Sequence, residues 1–155
     1  MITLSGARLL AQSFVPGAGS GATGAGQAVK LVNQLLVAIH TAASAEAVVF
    51  GRRLGADPQV ILDMLGTSFG GSAMLIRNVP RFISRDFSGA TPVGLILKDL
   101  GLIHGEAIGA GTPLLMGGLA EQLFLQASSR NLAAEDMSCL VRLAEAAAGL
   151  SGEAA

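Results

Sequence analysis

The chain has 155 residues, enough for one domain with a sizeable core, and 51% of them are apolar against 14% charged. A net charge of −1 gives no electrostatic case for nucleic acid or an acidic membrane. The one cysteine, Cys139, excludes an internal disulfide and has no metal-like neighbours, which suits a small buried hydrophobe in a reducing cytoplasm.

Met1 to Ser20 holds a short apolar piece, Ala7 to Val15, and a Pro16-Gly17-Ala18-Gly19-Ser20 stretch that reads as a linker or divergent end. It lacks a basic region followed by an apolar core and a cleavage site, so no secretory signal is expected. Gly19 to Gly24 spells G-x-G-x-x-G, but that fingerprint needs a strand before it and a second strand with an acid after its helix. Glu46 lies at about the right distance, yet within an alanine-rich helix. The glycines are better explained as a tight turn at a helix amino end.

From Gly26 to about Leu54 the apolar positions run almost all the way round, the pattern of a helix buried on most sides. One stripe is polar, with Lys30, Asn33 and Gln34 at its start and His40, Thr41 and Ser44 further on. Lys30 and Asn33 are three apart and share a face. The polar residues between Leu31 and Ala45 argue against a transmembrane span, which needs ~20 mostly apolar residues. Arg52, Arg53 and Gly55 mark the end of the helix.

Asp57-Pro58 predicts a capped helix through about Leu65. Gly66 to Ser72 is a glycine and hydroxyl cluster, either a plain connection or a functional loop. Ser72 to Arg85 predicts another helix, with Pro80 kinking or ending it and Arg77, Arg81 and Arg85 on one cationic face. Thr91-Pro92 opens a helix in which Lys98 stands among Leu95, Ile96, Leu97, Leu102 and Ile103. Asp99 points about 100° away from it around the axis. Helices over Pro113 to Ala127 and from Glu135-Asp136 onward complete an all-α, multi-helix domain organised around one long central helix. It occupies residues 21–148, with 149–155 as a frayed tail. No stretch alternates as a strand would.

The ten basic residues comprise eight arginines and two lysines, and the lysines are Lys30 and Lys98. Arginine holds its proton at any ordinary pH, whereas a desolvated amine can release one. Lysine is therefore the type that proton transfer would demand.

Two motifs in order, G-x-x-G-x-G-x-x-x-K-x-x-N at Gly21, Gly24, Gly26, Lys30 and Asn33, and Lys98-Asp99-Leu100, resemble the carboxy-terminal helical domain of the β-hydroxyacid dehydrogenases. That family includes 3-hydroxyisobutyrate, tartronate-semialdehyde and L-threonate dehydrogenases and, more distantly, 6-phosphogluconate dehydrogenase. The resemblance implies Lys30 as catalytic acid/base; Asn33, with Gly24 and Gln34, at the substrate; and Lys98, Asp99 and Phe87 beside NAD or NADP. It also implies a small hydroxy-acid substrate, a homodimer or larger assembly, and a Rossmann domain that this chain lacks, so that the chain alone should be inactive. The competing expectation is a non-catalytic helical oligomerisation module that keeps the family's fold.

Overall fold

The computed structural model describes residues 23–150 apart from Ala90. The expectations for Gly19 to Gly21, and for the segment before them, lie outside that range. Among the described residues there are six α-helices, one 3-10 turn and no strand: α1 Thr23–Arg53, α2 Pro58–Leu65, α3 Ala73–Ser84, α4 Val93–Gly109, α5 Leu115–Ser129, the turn Met137–Leu140, and α6 Val141–Ala147. Every other helix touches α1.

Local signals account for most boundaries. The carboxylate of Asp57 accepts the Gln59 N–H at 2.6 Å and Pro58 fills the first turn of α2. The Ser72 hydroxyl accepts the Leu75 N–H at 3.0 Å to open α3. Pro80 lies inside α3 on its exposed side, and the helix continues to Ser84 before Arg85 turns left-handed at φ 58. Gly55 at φ 86 closes the end of α1, as a residue without Cβ can do without strain. Gly149 at φ 70 ends α6, and Leu150 then folds back into the core at 7% exposure.

The core is the seam where these helices meet α1. Ala38, Thr41, Ala45, Val48 and Val49 from α1 are buried with Val79 and Phe82 of α3, Val93, Ile96 and Leu100 of α4, and Phe124 of α5. The fourfold and threefold spacings put each set on one helix face. Small residues set the separations: a Cβ on Gly117 of α5 would stand 2.8 Å from Leu35 Cδ1 of α1. Cys139 is wholly buried, and burial, with Glu135 nearby, pushes its thiol up to about 12, so it is an inert core residue.

One expectation is corrected. The amino-terminal part of α1 is not buried on most sides: Val29, Val32 and Leu36 are 64%, 56% and 45% exposed, and the first buried residue is Ala38. Gln34 and Leu35 meet α4 and α5, and Leu31 and Val37 pack partly against the core, while Val29, Val32 and Leu36 face outward. By length and mean hydropathy (1.4) Ala25–Arg53 could also cross a bilayer, although here its carboxy-terminal half is the axis of a helical bundle.

Buried ion pairs hold the bundle's irregular segments. Asp136, with no exposed side-chain surface, accepts from Arg77 at 3.0 and 2.7 Å and from the Ser138 hydroxyl and N–H at 2.7 and 3.0 Å. Its backbone N–H donates to Phe87 O at 2.8 Å, and Met137 N–H donates to Thr91 O at 2.9 Å. Gly89 runs so close that any Cβ there would collide with the Asp136 carboxylate. Arg52 and Arg85 share the buried carboxylate of Glu145, and Arg81 donates to Asp86 O. The three-arginine face is therefore spent on internal contacts.

Burial alone would raise the Asp136 carboxyl, but hydrogen bonds from Arg77 and Ser138 outweigh it and hold the group well below the usual carboxylate range. Two outcomes are expected. Asp136→Ala, which strands Arg77, should cost ~3–5 kcal/mol in denaturant unfolding. Because the folded value is depressed, the stabilisation from Asp136 is complete above the unfolded value, ~3.9, and is lost as pH falls below it. The acid-unfolding midpoint of the wild type should then lie in that range, and Asp136→Asn should flatten the pH dependence there.

Candidate functional site

The two sequence motifs meet across the α1/α4 contact. Gln34 Nε2 on α1 donates to Asp99 Oδ2 on α4 at 2.6 Å, across 65 residues of chain. Asn33 Nδ2 donates to Gln34 Oε1 at 3.1 Å. Lys30, one turn before Gln34, and Lys98, next to Asp99, are both exposed. Asn33 is exposed as well, whereas Gln34 and Asp99 are half-buried. The result is a polar ledge at the α1/α4 contact, a line of three hydrogen-bonding side chains, with Lys30 and Lys98 exposed on the same two helices.

Gly24 and Gly26 lie in the first turn of α1 rather than in a turn before it. The first N–H groups of a helix have no partner within it, and a Cβ on Gly26 would meet nothing within 4 Å. Among the described residues nothing crowds Gly26. Phe87 is placed differently from the other candidates. It is 5% exposed, with the guanidinium of Arg142 4.4 Å and that of Arg85 5.4 Å from its ring centroid. As placed, the ring has almost no surface to offer a cofactor.

Some residues that the structure makes prominent carry little local signal in the sequence. Asp99 was legible as the neighbour of Lys98, but its bond to Gln34 was not, since nothing local relates positions 34 and 99. Asp136 read only as a helix opener, although Asp-x-Ser at 136 and 138 is the pattern of a carboxylate that accepts from an N–H two residues on. His104 Nδ1 on α4 lies 2.7 Å from Glu121 Oε2 on α5. No group of three metal-ligating side chains occurs among the described residues.

An apolar groove of about 460 Å³ lies toward the other end of α1, lined by Ala45, Val49, Phe50, Leu123, Leu143 and Ala147 among others. Positions 30 and 45 on α1 are separated by ~22 Å at 1.5 Å per residue, and neither lysine lines the groove. None of Lys30, Asn33, Gln34, Lys98 and Asp99 lines it.

Residues 24–144 match the family model described as the NAD-binding domain of NADP-dependent 3-hydroxyisobutyrate dehydrogenase. The chain is similar to the L-threonate dehydrogenase of Cupriavidus necator, with 37% identity over 122 residues, 79% of this chain and 41% of that protein. It is also similar to the 2-(hydroxymethyl)glutarate dehydrogenase of Eubacterium barkeri, with 38% identity over 132 residues, 84% and 44% of the two chains. A crystal structure of 3-hydroxyisobutyrate dehydrogenase from Salmonella typhimurium matches with a TM-score of 0.74 and 32% identity, over 77% of this chain and 42% of that one. The chain therefore spans less than half the length of these relatives.

Proposed function

This chain belongs to the β-hydroxyacid dehydrogenase family, whose members are NAD(P)-dependent, and from that premise we propose that it supplies the helical, substrate-binding half of such an enzyme. The other half would be a Rossmann nucleotide-binding domain, in the same longer protein or in a separate chain. The reaction would oxidise a small 3-hydroxy acid or reduce the matching semialdehyde. The observation that carries this reading is the Gln34 to Asp99 hydrogen bond, which joins the lysine-bearing motif of α1 to that of α4 at 2.6 Å.

In this reading the Lys30 amine takes the proton from the substrate hydroxyl, or returns it to the carbonyl. Asn33 orients the substrate one turn along the helix. Lys98 adds a positive charge that attracts the substrate carboxylate, and Gly24, having no side chain, puts none between the substrate and the backbone. When bound, NAD(P) supplies the hydride acceptor or donor. As a test of fit, the ledge offers a nucleotide one cation, Lys98, beside Asp99 and no phosphate cradle among the described residues, so most of the cofactor must be held by the Rossmann domain. Phe87 would act on that region only through the backbone it anchors at Asp136.

Covering the ledge is part of the proposed chemistry. An amine works as a base near neutral pH when it is desolvated or placed near another cation. Exposed as it is here, Lys30 would meet those conditions only once a second domain closes over it. The single buried thiol accords with a reducing cytoplasm.

The exposed Val29, Val32 and Leu36 favour a second reading, in which this surface serves assembly without catalysis. Two measurements separate the readings. Hydride transfer should require the 155-residue chain together with a nucleotide-binding domain, fused or added, and Lys30→Ala should lower its rate by about 10²–10⁴-fold. Turnover by the 155-residue chain alone would remove the requirement for a second domain, and turnover unchanged by Lys30→Ala would remove the catalytic role of Lys30. Light scattering at micromolar concentration should find a dimer or larger species under either reading, and a monomer would remove the assembly role.

A further inference from the structure

We propose that Gln34 is a positioning residue rather than a substrate ligand: it relays the fixed polarity of Asp99 to Asn33. The clause about substrate rests on the dehydrogenase reading, whereas the relay itself rests on geometry alone. A primary carboxamide has two nearly isosteric orientations, and its surroundings choose between them. Asp99, when ionised, can only accept. Gln34 must therefore turn Nε2 toward it, as the 2.6 Å contact shows. That leaves Gln34 Oε1 facing the other way, where it accepts Asn33 Nδ2 at 3.1 Å. Asn33 is thereby held with its Nδ2 toward Gln34 and its Oδ1 available as an acceptor for a ligand.

The distances and the chemistry point the same way. Both heteroatoms of the Gln34 carboxamide are engaged within the chain, so a substrate that bound Gln34 directly would have to compete with a bond to a carboxylate. Charge-assisted bonds of this kind are the stronger class. The side-chain length also matters. Gln34 spans from α1 to α4, and a residue one methylene shorter at this backbone position would fall short of Asp99 by ~1.5 Å. The Asn33 to Gln34 bond joins neighbours on one helix, but Gln34 to Asp99 crosses between helices. The relay therefore also ties the orientation of Asn33 to the seating of α4, the helix that carries Lys98.

The test uses the intact 155-residue chain and its near-isosteric variants Gln34→Met and Asp99→Asn, together with the double variant. In nitrogen-15 spectra the side-chain amide pair of Asn33, assigned by its loss in Asn33→Ala, should move in Gln34→Met. It should also move, with the Gln34 pair, in Asp99→Asn, while the backbone signals away from the α1/α4 contact stay in place. An Asn33 pair unmoved in both variants would overturn the relay. Kinetics of the chain with its nucleotide-binding domain give the second arm. Gln34→Met and Asp99→Asn should each raise KM for the hydroxy acid by about 2- to 10-fold, with a smaller change in kcat. The double variant should be no worse than the worse single variant. Multiplying effects, or a KM that responds to Gln34→Met and not to Asp99→Asn, would make Gln34 a direct ligand and sink the proposal. Coupled amide shifts without turnover in any assembly would instead retain the relay and count against the dehydrogenase reading.

Discussion

The constraint on which the rest of the structure depends is the withdrawal of the Asp136 carboxylate from water. An ion at zero exposure must be paired and hydrogen-bonded or it would cost more than the domain can spare. Arg77 reaches it from α3, Ser138 from the following turn, and Thr91 N–H from the loop before α4 at 3.3 Å. The backbone bonds to Phe87 and Thr91 then hold those two residues against the 3-10 turn. That loop sets the starting point of α4. Six positions beyond its buried first residue, Val93, Asp99 stands opposite Gln34. The Gln34 to Asp99 contact thus lies about two turns from the amino end of α4, which the Asp136 cluster fixes.

Helix starts and stops were legible because each is a local event. Asp57-Pro58, Ser72, Pro92 and Gly55 act through neighbours within four residues, and the structure uses them as their chemistry dictates. Pro80 was ambiguous for the same reason. Its effect depends on whether the carbonyl one turn earlier faces water, and that is decided by packing. Lys30 and Lys98 stood out through residue type, in a chain where arginine carries nearly all positive charge. What could not be read were contacts between residues distant in sequence, such as Gln34 with Asp99, Arg77 with Asp136, and Arg52 and Arg85 with Glu145. Periodicity says which face a residue is on, but not which helix lies opposite.

The misjudged burial of α1 has a physical cause of the same kind. A stripe of apolar residues around the full circumference implies burial on all sides only if everything that covers it belongs to the described fold. Val48 and Val49 are covered by the bundle, while Val29 and Val32 extend past it. Apolar surface left open at this density is costly in water and favours a partner. The exposed apolar side chains and the exposed Lys30 share the same turns, so a partner that covers one would come close to the other.

The division of labour between the two kinds of cation supports that view. Among the described residues the salt bridges are made by arginines and one histidine, and by no lysine. Guanidinium groups suit fixed pairing because they are planar, multiply donating and permanently charged. An ammonium group placed in such a pair would be held in its protonated form, which is the opposite of what proton exchange requires. Both lysines stand outside the structural ion pairs of the described residues. An arginine at position 30 would keep the charge and lose the exchangeable proton, so in the proposed reaction position 30 calls for a lysine.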